Sequence, residues 1–273
     1  MKKERVDVLA FDQGLFETRE KAKRAVMAGQ VYNQKNNERF DKPGEKIASD
    51  TRLTVKGQSL RYVSRGGLKL EKALHDFDIT VKDKIILDIG SSTGGFTDAA
   101  LQNGARLSYA LDVGQNQLAW KLRQDPRVIV MERTNFRYSQ PADFTAGQPQ
   151  FATIDVSFIS LKLILPPLHA ILVEGGDVIA LIKPQFEAGK EFVGKKGIVR
   201  DPKTHVKVLT EVTEFAQAAG FDIPELTYSP ITGGEGNIEF LAHLRSVDGT
   251  GQLEPKISLT EVVKAAHEQL ERA

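Results

Sequence analysis

A chain of 273 residues, 41% hydrophobic and 27% charged, has the material for a sizeable core, which excludes a disordered or fibrous protein and fits about one and a half to two domains. It has no cysteine, so disulfides and thiolate metal sites are excluded, and no apolar signal segment follows Met1-Lys-Lys-Glu-Arg-Val-Asp7; the expectation is a cytoplasmic protein. The net charge of +1 hides an asymmetry, because residues 1–69 carry 16 Lys and Arg against 9 Asp and Glu while residues 70–273 carry 21 against 27. A basic front part points to a polyanionic partner, the alternative being a solvated basic face.

Residues 5–31 read as a pair of helices. Val6, Val8, Leu9 and Phe11 form the first apolar face, Gly14-Leu-Phe16 turns, and Thr18 caps a second helix that runs to Met27 and stops at Gly29. Arg19, Lys21, Lys23 and Arg24 cluster on that second helix. Val31-Tyr32, Glu45-Lys-Ile47 and Arg52-Leu-Thr-Val55 are short strands between polar turns. The stretch Gln58–Leu70 reads as a junction, since Ser64-Arg-Gly-Gly67 does not favour helix, and a helix from Leu68 to Phe77 follows.

Lys84-Ile-Ile-Leu-Asp-Ile-Gly-Ser-Ser-Thr-Gly-Gly-Phe96 is the organising stretch. A short β-branched run breaks at Gly90, Gly94 and Gly95, then resumes at helical spacing over Thr97–Gln102. Glycines there let a ligand approach the backbone at a helix N-terminus. One helix later, Leu107–Asp112 is a second strand ending in an acid, where such folds grip a ribose hydroxyl pair. The spacing suits a dinucleotide or S-adenosylmethionine, although Ser92 stands where a dinucleotide fingerprint wants its second glycine.

The remaining pattern alternates. Gln117–Leu122 is a short helix, Arg127–Met131 a strand, Phe151–Asp155 another, Leu161–Val173 a helix, and Asp177–Lys183 a fifth strand. In an open α/β sheet the ligand crevice lies beyond the carboxyl ends of the strands, so Asp88, Asp112, Asp155 and Lys183 point to one region. Residues 186–203 read as a long basic loop at its mouth, with Lys190, Lys195, Lys196 and Arg200. A helix over Lys203–Ala219, a final strand pair at Glu225–Pro230 and Asn237–Leu244, and an amphipathic helix over Ser258–Arg272 complete the chain. Glu239 in the last strand can face the crevice, where a buried carboxylate needs a partner. An ordinary salt bridge between Lys183 and Glu239 is the plainer alternative.

Several of these motifs carry family resemblances. Arg5, Asp7, Leu9, Gly14, Arg19, Ala22, Gly29 and Val31 resemble the S-four-like RNA-binding domain of ribosomal proteins and pseudouridine synthases. Lys69, Asp155, Lys183 and Glu239 fall where FtsJ-like ribose 2′-O-methyltransferases keep a Lys-Asp-Lys-Glu tetrad. With the junction Tyr62-Val-Ser-Arg-Gly-Gly-Leu-Lys-Leu70, Ile154-Asp-Val-Ser-Phe-Ile-Ser160 and Lys183-Pro-Gln-Phe-Glu187, nearly the whole chain is similar to the TlyA family, often labelled hemolysins.

The resemblance implies a Rossmann-like α/β methyltransferase fold with a seven-stranded mixed sheet and a small N-terminal α+β RNA-binding domain. The expected division is residues 1–58 for RNA binding, 59–67 as linker, 68–246 for methyl transfer and 247–273 as a tail with a helix. The implied activity is 2′-O-methylation of cytidine in ribosomal RNA with S-adenosylmethionine. Asp88, Gly90, Ser91, Ser92, Gly94, Gly95, Phe96, Asp112 and Asn135 are the cofactor candidates. Asn135 is a departure, since FtsJ-like enzymes often place an acid in that region. Arg5, Arg19, Lys21, Lys23, Arg24, Arg65, Lys190, Lys195 and Lys196 are the RNA candidates.

The chemistry supports the tetrad independently. A ribose 2′-hydroxyl is a poor nucleophile, so transfer from a sulfonium needs in-line positioning and an acceptor for the departing proton. Lys183 is the candidate base, made less basic by desolvation and by the charge of Lys69, with Asp155 and Glu239 orienting the amines. No metal is required, and the five histidines show no ligand spacing. The competing classes are a membrane-active hemolysin, a nicotinamide oxidoreductase, and an RNA-binding protein with a vestigial methyltransferase domain. The best apolar run, Phe158–Ile182, is interrupted by Lys162, Pro166-Pro167 and Glu174–Asp177, which argues against membrane insertion.

Overall fold

The computed structural model describes residues 3–56, 61–233 and 236–270, in two compact units dividing between Arg61 and Tyr62. Linker positions 59 and 60, the centre of the 232–236 turn and the end of the last helix at 271–272 lie outside the described residues.

The first unit begins with a strand absent from the sequence reading. β1 (Lys3–Arg5) leads into α1 (Val6–Asp12), α2 (Arg19–Met27), β2 (Val31–Asn33), β3 (Arg39–Phe40), β4 (Lys46–Ala48) and β5 (Leu53–Val55). β1 pairs antiparallel with β4, and β3-β2-β5 form a second small sheet. Thr18 caps α2 by accepting from the Lys21 backbone N–H at 3.2 Å. The core joins Val6, Leu9 and Ala10 to Ala22, Ala25, Val26, Val31, Phe40 and Leu53. Helical spacing from Val6 buries positions 9 and 10, so Val8 is only partly covered and Phe11 is exposed, contrary to the expected face.

The second unit opens with Tyr62 buried in its core, followed by α3 (Gly66–Asp76). The expectation that Gly66 and Gly67 break the helix is overturned by packing. A Cβ at Gly67 would collide with the Tyr62 ring, so glycine is needed inside the first turn despite its helix cost.

After α3 the chain alternates: β6 (Ile85–Ile89), α4 (Gly95–Gln102), β7 (Leu107–Leu111), α5 (Trp120–Arg123), β8 (Val128–Met131), β9 (Phe151–Ile154), α6 (Leu165–Ile171), β10 (Asp177–Ile182) and α7 (Pro184–Glu187). It ends with α8 (Pro202–Ala218), β11 (Phe221–Tyr228), β12 (Phe240–Ser246) and α9 (Leu259–Leu270). The seven-stranded sheet runs β11-β12-β10-β9-β6-β7-β8. Its five central and distal strands are parallel, and β12 is antiparallel to both β10 and β11. β6 is buried on both faces, which is why it reads as an unbroken apolar run. Ile85, Leu87 and Ile89 join one core and Ile86 the other, as strand alternation requires.

Two element expectations are corrected. Pro166 and Pro167 confine the 161–173 helix to a short 3-10 turn at Leu161–Leu163 followed by α6. β11 begins at Phe221, since an edge strand tolerates Pro224 where the pairing shifts register between Asp222 and Glu225. The docking of the C-terminal helix, on which the sequence makes no statement, is onto the main core through Val263 and Ala266.

Candidate active site

The carboxyl ends of β6, β7, β9 and β10 open onto two adjoining cavities. One, of about 360 Å³, is polar; its walls include Lys69, Asp88, Ser91, Asp155, Lys183 and Glu239. The other, of about 430 Å³, is bounded by apolar groups such as Leu111, Val113, Phe136, Val156 and Ile159, with Asp112 and Asn135 at its polar edge. Gly90, Ser92, Asp155 and Ser157 line both, so the two form one bent crevice around the glycine turn.

The turn is shaped by close backbone approach. Gly90 has φ +84°, and a Cβ there would run into the Asp155 carbonyl oxygen, so the first glycine keeps the ends of β6 and β9 together. Asp112 spans the turn after β7: one carboxylate oxygen accepts from Ser92 N at 2.8 Å and the other from Gly114 N at 2.6 Å. Asp88 lies deeper, accepting from Thr97 N at 3.0 Å, Thr97 Oγ1 at 2.7 Å and Thr153 Oγ1 at 2.9 Å. Burial pushes its pKa up to about 6, against the Thr97 and Thr153 hydrogen bonds and with help from the Asp155 charge.

In the polar cavity four side chains form a line of alternating charge. Lys69 Nζ donates to Glu239 Oε2 at 2.7 Å and stands 3.7 Å from Asp155 Oδ2. Asp155 Oδ1 meets Lys183 Nζ at 2.6 Å, and Lys183 also donates to Ser157 Oγ at 3.2 Å. The helix α3, the ends of β9 and β10, and the residue preceding β12 therefore converge on one chain of four groups separated by up to 170 positions in sequence. The simple Lys183–Glu239 pair is not what forms. Asp155 separates the two lysines, so the nearest charge to Lys183 is opposite rather than the like charge expected from sequence.

Most cofactor candidates meet at the crevice: Asp88, Gly90, Ser91, Ser92, Gly95, Phe96, Asp112 and Asn135 line one cavity or the other. Gly94 lines neither; with φ +92°, its Cβ position is taken by Leu118 and Leu122, so packing is the reason for that glycine. Gly95 likewise abuts the Ser64 hydroxyl and the Gly67 backbone. Asn135 accepts from Arg137 N at 3.2 Å and caps a 3-10 turn.

The basic candidates separate into different settings. Arg65 lines the polar cavity. Arg5 and Arg19 flank the buried Asp7 at 2.9 and 3.3 Å. Lys21 pairs with Glu17 and Arg24 with Glu20 across one helical turn, while Lys23 is exposed. Lys190, Lys195 and Lys196 are exposed and line neither cavity. Ser157 is the functional contact that spacing alone missed, although it lies inside the motif at Ile154–Ser160.

Among the described residues no cluster of three His, Asp or Glu could hold a metal ion, and no helix is long and apolar enough to cross a membrane. Comparison with known proteins agrees with the geometry. The chain is 66% identical over 271 residues, 98% of its length and 96% of the relative's, to YqxC of Bacillus subtilis, whose name assigns it rRNA methylation provisionally. It is 41% identical over 248 residues, 89% of this chain and 90% of the relative, to the 16S/23S rRNA (cytidine-2′-O)-methyltransferase TlyA of Mycobacterium tuberculosis (strain CDC 1551 / Oshkosh). A solved structure from Streptococcus thermophilus, provisionally named a hemolysin, matches at 63% identity and TM-score 0.80, covering 100% of this chain and 98% of that one. The FtsJ-like methyltransferase family model matches residues 62–246, the span that supplies all four tetrad residues and both cavities, and the chain belongs to that family.

Proposed function

We propose that the protein transfers the methyl group of S-adenosylmethionine to the ribose 2′-hydroxyl of cytidine in ribosomal RNA, in the large subunit first, with the small subunit as a second acceptor. The observation that carries this reading is the Glu239–Lys69–Asp155–Lys183 line, enclosed in a polar cavity that adjoins an apolar one. The residues present fit the cofactor. The apolar walls suit an adenine ring, Asp112 suits ribose hydroxyls, and Gly90 keeps side-chain bulk away from the turn where the two cavities join.

When bound, S-adenosylmethionine supplies an electrophilic methyl on a sulfonium. The chain does the rest by positioning and proton management. Asp155 and Ser157 hold the Lys183 amine at the floor of the polar cavity, and Glu239 with Asp155 holds Lys69 beside it. An RNA ribose entering that cavity would present its 2′-hydroxyl to Lys183 Nζ, the candidate acceptor for the proton that the hydroxyl gives up on methylation. Lys69 stands between the two carboxylates, Glu239 and Asp155.

The first unit and Arg65 supply the RNA grip in this reading. The solvent-facing guanidiniums of Arg5 and Arg19, anchored on Asp7, suit phosphate oxygens, and the exposed Lys23, Lys190, Lys195 and Lys196 add positive potential. A ribosomal RNA substrate places the work in the cytoplasm. The test is mass mapping of 2′-O-methyl groups on unmethylated 16S and 23S RNA and on ribosomal subunits after incubation with the purified chain and S-adenosylmethionine. New cytidine 2′-O-methyl groups support the proposal; methylation confined to bases, or none with either RNA, overturns it. A red-cell lysis assay on the same preparation tests the competing toxin reading.

A further inference from the structure

The two parallel strands that deliver Asp155 and Lys183 both end in irregular arcs. After β9 the arc is Val156–Ser160, and after β10 it is the single turn α7. Sheet pairing between these strands stops at Ala180 with Ile154, so the ladder does not fix the arcs against each other. The first arc is also strained: Phe158, a non-glycine residue, has φ +63° with its ring 91% exposed, so burial of that ring does not offset the cost.

Contacts at both ends of the arcs hold them. At the near end Lys183 Nζ donates to Ser157 Oγ at 3.2 Å. At the far end the Glu187 carboxylate accepts from Ser160 Oγ at 2.6 Å and from Leu161 N at 2.9 Å. Between them the Phe158 and Phe186 rings lie 5.0 Å apart. Ser157 to Ser160 and Lys183 to Glu187 thus form a closed ring of two short segments, joined at each end by hydrogen bonds. Glu187 lines neither cavity, and burial raises its pKa despite the hydrogen bonds from Ser160 and Leu161. The residue is half-buried, and its carboxylate is spent on these two hydrogen bonds.

We propose that Glu187 is a positioning residue for methyl transfer: by closing the far end of this ring it holds Ser157 and Lys183 in register with Asp155, and its loss slows transfer more than it weakens cofactor binding. The inference rests on the reading that Lys183 takes part in transfer. Asp112 and Gly90 follow β7 and β6, outside the ring, while Val156, Ser157, Phe158 and Ile159 of the first arc also line the apolar cavity, so cofactor affinity is expected to fall less than the rate.

The experiment is single-turnover methyl transfer to ribosomal RNA across pH 6 to 10, with S-adenosylmethionine affinity measured by titration on the same full-length proteins. Glu187→Ala is expected to lower the transfer rate about 10- to 100-fold, the size of effect a misplaced reacting group produces, with a smaller fall in cofactor affinity. Glu187→Gln keeps an acceptor for Leu161 N and a hydrogen bond to Ser160, and should restore the rate to within about threefold. Ser160→Ala, which removes half of the clamp and serves if Glu187→Ala does not fold, should give a smaller loss than Glu187→Ala, again larger in rate than in cofactor affinity. Glu214→Ala, at an exposed site on α8, should change nothing. An active wild type with equally active Glu187→Ala and Ser160→Ala overturns this inference alone. So does a parallel fall in rate and cofactor affinity that Glu187→Gln does not rescue. A wild type inert toward ribosomal RNA overturns the underlying reading first.

Discussion

Asp7 in the first unit and Asp155 in the second are each flanked by two cations, but the burial is inverted. Asp7 is 1% exposed while its partners Arg5 and Arg19 are 40% and 55% exposed. Asp155 is 23% exposed while Lys69 and Lys183 are only 9% and 11% exposed. In the first arrangement a buried acid orients two guanidiniums whose remaining N–H groups face solvent, ready for a large anion. In the second the amines are enclosed and meet only what enters the cavity. The residue types match the difference: arginine stays charged and offers a planar fork, whereas lysine can lose its proton. Under the proposed function the same stoichiometry of charge would serve surface recognition in one unit and enclosed chemistry in the other.

The enclosed cluster should break most severely. Lys183→Arg keeps the charge but cannot deprotonate, and Lys183→Met keeps the length without an amine, so both should lower single-turnover methyl transfer by about 10²- to 10⁴-fold, the usual worth of a general base. Near-normal rates in Lys183→Arg would reassign the amine to substrate positioning. Lys162→Arg, on the 3-10 turn outside both cavities, should be silent in the same assay.

Next in size is the cofactor side. Asp112→Ala removes a charged acceptor for the ribose and also frees Ser92 N and Gly114 N, so calorimetric titration should show S-adenosylmethionine binding weakened by roughly 1.5–3 kcal/mol. Unchanged affinity would remove Asp112 from the cofactor site.

The exposed cluster should respond more gently and in a different observable. Arg5→Ala and Arg19→Ala should each weaken RNA binding and reduce the salt slope of log K by about 1, leaving the methyl transfer rate at saturating RNA unchanged. A loss of rate at saturation would show that the first unit does more than hold RNA.

The finest distinction is in acid. Burial raises the pKa of Asp7, but the hydrogen bonds and charges of Arg5 and Arg19 outweigh it and hold it below the usual carboxylate range. Its contribution to stability is therefore present above about pH 4 and lost as pH falls through the folded value. Asp88 has no such cation and is pushed up to about 6, so its ionisation costs stability above that pH, and the cost is relieved as pH falls from about 6 toward 4. Thermal unfolding should show Asp7→Asn flattening the profile only below about pH 4. Asp88→Asn should flatten it between about 4 and 6, by on the order of 2–3 kcal/mol. The opposite windows follow from the presence or absence of partner cations, and an Asp88→Asn profile identical to wild type would contradict the assignment.

Much of this organisation is legible in sequence because it is periodic or local. Ile85–Ile89 followed by Gly90 declares a buried strand and a turn, and Thr18 followed by a helical run declares a cap. What misled was local chemistry read without its neighbour. Gly67 looks like a helix breaker until Tyr62 is seen to occupy the space a Cβ needs. Gly94 looks like a cofactor glycine until Leu118 and Leu122 are seen to fill its position.

The sequence by itself determined the alternation of strands and helices and the acids at strand ends, because strand period and turn chemistry act within a few residues, and its resemblance to FtsJ-like enzymes singled out the four residues of the tetrad. Only the tertiary structure decided the order of charges in that tetrad. Lys69, Asp155, Lys183 and Glu239 arrive from distant elements, and which carboxylate separates which amines depends on side-chain reach across the crevice. The role of Glu187 was equally hidden, since its partners Ser160 and Leu161 meet it only when two neighbouring parallel strands bring their trailing arcs together.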